Sequence, residues 1–199
     1  MTTHLPDVSE FQPNVDWAKV ALKNGGAAII RAIYGTGHVD KAWSGGGRRK
    51  DAHAKGVRAL GIYQYLVKDQ DAVAQAGAFV RLVGELRPGE FAIVDLEEGE
   101  GDQLPRALAW LKHVDAMLTY PGYQGAWLYS GEAFFQEHNL LPIAKSKRRT
   151  WVAAYRETPP SVPHTLWQHT DKEEWSGIGS CDCSIFNGDV KELLAKIHG

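Results

Sequence analysis

Asp95 and Glu97 stand two residues apart at the end of the run Phe91-Ala92-Ile93-Val94-Asp95-Leu96-Glu97-Glu98-Gly99-Glu100. The run begins apolar and β-prone and finishes in carboxylates and glycine, the pattern of a buried strand that surfaces at its C-terminal end. In a strand the two acids project from one face roughly 6 to 7 Å apart, with Leu96 turned into the opposite layer. A helix would point them about 200° apart. Two carboxyls on one wall disfavour each other's ionisation, so one pKa is pushed up, an arrangement that acid/base chemistry can use. An acidic strand end running into a solvated loop carries the same signature, so the surrounding elements must decide between the two.

Those elements alternate. His4 to Ser9 reads as a first strand that delivers Asp7 to a loop. Asp16 caps a helix through Trp17, Val20 and Ala21, stopped by Gly25-Gly26. Ala27 to Gly35 is a second strand ending at Tyr34, and Val57 to Leu66 a third, with Tyr63, Gln64 and Tyr65 at its end. Between them Gly45-Gly46-Gly47 leads into a basic helix, Arg48 to Lys55, without the spacing of a phosphate-binding loop. Asp69 to Leu86 is a helix, apolar at Val73, Ala76, Phe79, Val80 and Val83. The Asp95/Glu97 strand follows, then a helix opened by Pro105, a fifth strand from Gly125 to Ser130 and a short helix from Glu132 to His138.

After that the rhythm changes. Thr150 to Tyr155, His164 to His169 and Ser180 to Phe186 read as three strands, joined by Glu157 to Pro163 and by the polar Asp171 to Gly179, neither with helical periodicity. Asp189 caps a last helix, Val190 to His198. Eight strands with helices between the first five predict an α/β single-domain barrel that has lost its last helices, with an open doubly wound sheet as the structural alternative.

The 199 residues, 44% of them apolar, suffice for one substantial core and are read as a single domain over 1–199. A formal charge of −2 provides no basic field for nucleic acid. Seven Trp and seven Tyr supply flat amphipathic rings of the kind that stack on sugar faces or line a cleft. Cys181 and Cys183, one residue apart, are too close for an unstrained disulfide in an extended segment and are expected to pack as small hydrophobes. The eight histidines form no H-E-x-x-H motif, so no metal and no cofactor are expected. The N-terminus lacks a Sec-type signal pattern, and no run of 18 apolar residues exists to span a membrane.

Barrel sites gather residues from strand ends around one mouth. Asp7, Asp95, Glu97 and Asp182 are the carboxylates so placed, with Tyr34, Tyr65 and Tyr129 near them. Several acids and aromatics without a Cys/His nucleophile pair point to glycoside hydrolysis. Ser9, lacking a triad context, is expected to shape its loop by a hydrogen bond.

In this light the chain resembles the family 25 glycoside hydrolases, lysozymes of the N-acetylmuramidase type. The resemblance rests on Asp7-Val8-Ser9 with Gln12 and Asp16-Trp17, Ala28 to Gly35, Gly61-Ile62-Tyr63, Val94-Asp95-Leu96-Glu97, Tyr129-Ser130, Trp151 to Tyr155, Leu166-Trp167-Gln168, and Asp182 with Phe186. It implies a TIM-like (β/α)5β3 barrel and cleavage of the β-1,4 bond between N-acetylmuramic acid and N-acetylglucosamine in bacterial peptidoglycan; retention of configuration is expected because Asp95 and Glu97, on one strand face, are too close to hold a water on the far face of the sugar. Carried over, Glu97 is the general acid, Asp95 assists the 2-acetamido group or stabilises the charge it develops, and Asp7 and Asp182 complete the cluster. Tyr34, Tyr63, Tyr65, Tyr129, Trp151, Trp167 and Gln168 are the expected sugar contacts, with core packing the alternative for the two tryptophans. Gln64 departs from the family, which commonly has His after that tyrosine. A monomeric catalytic domain without wall-binding repeats is expected, resembling a phage endolysin released through a holin pore or a bacterial protein exported otherwise. Two other readings are a catalytically silent peptidoglycan-binding barrel and a metal-assisted hydrolase using the acids as ligands.

Overall fold

The computed structural model describes Met1 to His198, Ser44 in its backbone alone; Gly199, the last residue of the expected domain, lies outside the described residues. Its elements in chain order are β1 (Thr3–Val8), α1 (Trp17–Asn24), β2 (Ala27–Tyr34), β3 (His38–Val39), α2 (Gly47–Ala54), β4 (Ala59–Tyr65), α3 (Ala72–Val83), β5 (Glu90–Asp95), α4 (Leu104–Met117), β6 (Trp127–Gly131), α5 (Glu132–Glu137), α6 (Leu141–Ala144), β7 (Thr150–Ala153), β8 (Leu166–Trp175), β9 (Gly179–Phe186) and α7 (Val190–His198). No helix among the described residues is long and apolar enough to cross a membrane.

Eight strands close a barrel in the order β1-β9-β8-β7-β6-β5-β4-β2, because β1 pairs with β2 on one side and β9 on the other. Closure rules out the open doubly wound sheet. The short β3 only extends β2 as a hairpin. Neighbours from β1 round to β8 run parallel, while β9 is antiparallel to both β8 and β1. Its direction follows from its connection. The segment 171–179, read from the sequence as a polar linker, is instead the tip of a hairpin in which Glu173 faces Cys181 and Trp175 faces Gly179. A short turn can only reverse the chain, whereas parallel neighbours need a crossover. The strand signal was hidden because Thr170 to Glu174 are polar on both faces, and only Trp175 is buried there.

Alternation along each strand makes two apolar layers. Leu5, Ile29, Phe91, Ile93, Trp127, Trp151 and Leu166 fill the barrel, and α7 plugs its lower end with Val190, Leu193 and Ile197. Ala28, Ile30, Leu60, Ile62, Ala92, Val94 and Leu128 face outward and pack with helix residues such as Phe79, Trp110 and Leu111. Gly61 is glycine for space: a Cβ there would stand 2.9 Å from Ile93 Cδ1 and 3.0 Å from Phe91 Cζ inside the barrel. Local chemistry sets the helix starts. Asp71 accepts from the Ala74 N–H at 2.8 Å, and Asp189 and Glu192 cap α7 reciprocally at 2.8 Å each.

Candidate active site

The C-terminal ends of the parallel strands open on one mouth. β5 ends at Asp95, and Leu96 continues extended by donating its N–H to Tyr129 O at 3.1 Å, so Glu97 rises just beyond the sheet. Asp95 and Glu97 act on each other directly: the interaction raises the pKa of Asp95 and lowers that of Glu97, so the two titrate as a pair. Asp95 is buried, and its pKa stands well above the ordinary carboxylate range, first from desolvation and then from the neighbouring Glu97 and Asp7. Glu97 is exposed to the mouth, yet the desolvating walls also raise its pKa. Burial, rather than the like-charge repulsion expected from the sequence, is the first cause in both.

Opposite them, β1 and β9 bring Asp7 and Asp182 into direct register. Asp7 is pushed well up by burial and by Asp182, while Asp182 is pushed to about 6 by burial and by the charges of Asp171 and Glu97. One cation tempers the group. Arg31 lies in the mouth wall because it alternates with the inward Ala27 and Ile29 of β2, and its charge lowers the pKa of both Asp7 and Asp95. Arg31 is itself held by Asp40 at 2.9 Å and Glu10 at 3.1 Å. Sequence reasoning passed over it, although a lone cation in the apolar run Ala27 to Ile33 was the available signal.

The pocket so formed has a volume of about 230 Å³, and all four carboxylates line it together with Arg31, Tyr63, Tyr65, Tyr129 and Gln168. Gln168 is fixed by three bonds. Its Oε1 accepts from Tyr129 Oη at 2.6 Å and from Tyr155 Oη at 3.1 Å, and its Nε2 donates to Asp182 at 3.2 Å. Tyr34 stands at the rim, stacked on Tyr65 with ring centroids 4.6 Å apart, and both hydroxyls donate to Glu98. Phe11, 77% exposed, forms part of the wall and lies over Arg31. Phe11 and Tyr155 were not among the expected contacts. Ser9 Oγ accepts from the Phe11 N–H at 3.4 Å and shapes the loop, as expected.

Two expected sugar contacts are not brought to the mouth. Trp151 is buried inside the barrel beneath it, donating to Ser184 Oγ at 2.8 Å and packed against Tyr129 with centroids 4.1 Å apart. Trp167 points from the outer face of β8 and donates to Ala154 O at 2.8 Å. Strand parity decides both: Trp151 faces inward one level too deep, and Trp167 alternates with the inward Leu166 and Gln168. Gln64 likewise faces away from the mouth, accepting from Trp110 Nε1 at 2.6 Å and donating to Gly35 O at 2.7 Å. The departure at that position therefore concerns helix packing, and Tyr63 and Tyr65 remain on the mouth side.

Burying acids has a cost that can be read in stability. The folded-state pKa of Asp7 lies above its unfolded value of about 3.9, so its contribution to stability is fully present below that pH and is lost as pH rises through the folded value. Asp7→Asn is expected to melt a few degrees above the parent at pH 7 and together with it near pH 3. Coincident melting curves at pH 7 would show that the carboxylate is not strained by burial.

A closed α/β barrel with an interacting carboxyl pair at its mouth, two more acids facing that pair and aromatic walls around them is the architecture of a glycosidase. The model of the glycosyl hydrolases family 25 matches residues 6–178, and the chain belongs to that family. Over 212 residues it is 31% identical to the uncharacterized protein YegX of Escherichia coli (strain K12), covering 100% of this chain and 74% of that protein. It is 24% identical over 213 residues to the N,O-diacetylmuramidase of Arthroderma benhamiae, covering 97% and 86% of the two chains. In fold it is similar to the bacterial lysozyme from Streptomyces coelicolor, with a TM-score of 0.84 at 22% identity over 98% of this chain and 97% of the other.

Proposed function

We propose that the protein is an N-acetylmuramidase that hydrolyses the β-1,4 bond between N-acetylmuramic acid and N-acetylglucosamine in bacterial peptidoglycan, with retention of configuration. The observation that carries this reading is the Asp95–Glu97 pair and its position. Glu97 lines both the deep carboxylate pocket and a neighbouring groove of about 390 Å³ walled by Glu132, Tyr155 and Arg156. A glycan threaded through both hollows passes its bridging oxygen by the Glu97 carboxyl. Family membership and the similarity to a lysozyme and a muramidase support the choice of substrate.

In this mechanism the sugar to be cleaved sits in the deep pocket with its 2-acetamido group toward Asp95. The amide N–H donates to Asp95, which favours the Asp95 anion and leaves the pair's proton on Glu97. Glu97 gives that proton to the leaving oxygen as the acetamido oxygen attacks the anomeric carbon, and Asp95 stabilises the positive charge that grows on the amide. Glu97, now ionised, then takes a proton from the water that opens the cyclic intermediate. Carboxyls that project from one face of a single strand hold no water on the far side of the sugar, whereas inverting enzymes place the pair roughly 6.5 to 9.5 Å apart across the bond. Asp7 is the rival nucleophile, since its free Oδ1 is buried in the same pocket without a hydrogen-bond partner among the described residues.

Mass analysis of muropeptides from digested cell walls tests the bond, which should yield a new reducing end on N-acetylmuramic acid. Proton NMR of the first product tests the stereochemistry. An initial β-anomer is expected; an α-anomer would sink both retaining versions, and a glycosyl adduct trapped on Asp7 would transfer the nucleophile's role to that residue.

The pH profile should be a bell. Activity rises as the fully protonated pair loses one proton and falls as it loses the second. Because the Arg31 charge lowers Asp95, Arg31→Gln should move the alkaline limb upward by as much as about one pH unit, while Arg31→Lys should leave it near the parent's. An alkaline limb that stays in place in Arg31→Gln would remove that cation from the electrostatics of the pair.

A further inference from the structure

The flank of the barrel formed by β1, β9 and β8 presents a side-chain cluster that the glycosidase chemistry does not use. His4, His169 and Cys183 each offer one ligand atom, and these atoms all lie within 4.8 Å of one another. The pairing explains how three distant residues meet. His4 lies two residues before Pro6, the partner of Cys183 on β9, and Cys183 also faces Thr170 on β8. The ladder between β8 and β9 is interrupted between Gln168 and Thr170, at His169, and such a bulge re-aims the side chain it carries. All three point outward, since their neighbours Leu5, Gln168, Asp182 and Ser184 fall on the inner face by alternation, and Gln168 and Asp182 line the mouth. No helix lies between β7 and β8 or between β8 and β9 among the described residues.

Two features mark the cluster as more than packing. The Sγ of Cys183 stands 3.8 Å from Nδ1 of His4. An ion with metal–nitrogen bonds of about 2.0 to 2.1 Å and a metal–sulfur bond of about 2.3 Å, in tetrahedral or trigonal geometry, sets nitrogen and sulfur roughly 3.6 to 3.8 Å apart. Independently, Nε2 of His169 is buried with no hydrogen-bond partner among the described residues, although its ring is held edge-on to His4 and Trp167 with centroids 5.8 Å away in each case. A buried imidazole nitrogen without a partner is rare and calls for an explanation.

We propose that His4, His169 and Cys183 form a site for one Zn²⁺ ion on the outer wall of the barrel, separate from the glycosidase mouth and independent of the reading given to it. Two imidazoles and a thiolate are a borderline-to-soft donor set, suited to Zn²⁺ and unsuited to Mg²⁺ or Ca²⁺, which take oxygen. The fourth position is left to water. The Glu173 carboxylate acts on both His169 and Cys183 and favours a cation there, while Lys23, the opposing charge, lies over the Trp175 ring at 3.9 Å. At neutral pH a cysteine meets the metal mainly as S–H. Coordination forms the S–Zn bond and breaks the S–H bond, and the proton leaves to solvent, one per ion bound. The ion ties together β1, β8 and β9, the strands that close the barrel.

The test uses the whole chain with Co²⁺ as a spectroscopic probe and Zn²⁺ as the competing ion. One Co²⁺ per chain should bind with a thiolate-to-cobalt charge-transfer band and four-coordinate visible bands, and Zn²⁺ should displace it with release of no further proton. At a hundredfold excess of Zn²⁺ over its Kd, the melting temperature should rise by roughly 5 to 10 °C, whereas Mg²⁺ should leave it unchanged. Cys183→Ser should abolish the charge-transfer band, Cys181→Ser should keep it, and His169→Gln, at a partly exposed position that tolerates substitution, should weaken Co²⁺ binding at least tenfold. A folded parent protein without the band, a band that survives Cys183→Ser, or His169→Gln binding like the parent would each overturn the proposal.

Discussion

Glu97→Gln is expected to fold as the parent does and to lose about 10² to 10⁴ fold in kcat on peptidoglycan, the span that general acid catalysis commonly supplies. The substitution keeps the shape of the side chain and removes only its ability to hold and release a proton at the edge between the deep pocket and the adjoining groove. Glu97 is exposed to the mouth and supports no buried layer, so melting temperature should hardly change. Two readouts separate chemistry from binding. With KM near the parent's, the loss lies in the transition state, and the alkaline limb of the pH profile should disappear with the titrating acid. Catalysis by a folded Glu97→Gln protein within a few fold of the parent would exclude Glu97 as the proton donor.

Asp95→Asn should lose about 10² to 10³ fold for a different reason. The asparagine amide cannot become an anion, so it neither draws the substrate's amide N–H nor stabilises the positive charge that develops there. Its NH₂ would also donate to the Glu97 carboxylate, favouring the ionised form and starving the leaving group of its proton. What remains of the activity should therefore have an alkaline limb shifted to lower pH, whereas Glu97→Gln has none. Because Asp95 is buried with a raised pKa, the same substitution should stabilise the fold at pH 7, following the logic given for Asp7. Lower activity with higher melting temperature and retained glycan binding is a combination that a purely structural role for Asp95 does not produce. An Asp95→Asn protein that is less stable and fails to bind glycan would place the residue in the architecture of the mouth instead.

The local elements of this barrel were legible in the chain because short-range physics writes them. Apolar runs ending in polar loops mark β2, β4, β5 and β6, and Asp16 and Asp189 cap the helices α1 and α7. A period of two along one strand was enough to set Asp95 and Glu97 on a common wall, and the order of the strand ends was enough to send Asp7 and Asp182 toward the same mouth. The polar end of β8 escaped notice because its strand is made by the partner across the hairpin, not by its own residues.

The tertiary structure decided whatever depends on depth, parity and neighbours from distant strands. Parity sent Trp167 and Gln64 out of the mouth, and depth placed Trp151 under it. Closure of the barrel set Arg31 of β2 beside the acids of β1 and β5, and the Tyr129–Gln168–Asp182 chain joined residues 39 and 14 positions apart. The raised pKa values of Asp95 and Glu97 owe more to desolvation than to their spacing, and desolvation is a property of the closed barrel around them. His4, His169 and Cys183 carry the same lesson furthest, since Cys183 and His4 are separated by 179 positions and share no motif. Sequence determines the kind of side chain at a strand end, because that is local. Which side chains face one another is set when the strands choose register and the sheet closes, because contact between residues far apart in the chain exists only in the folded barrel.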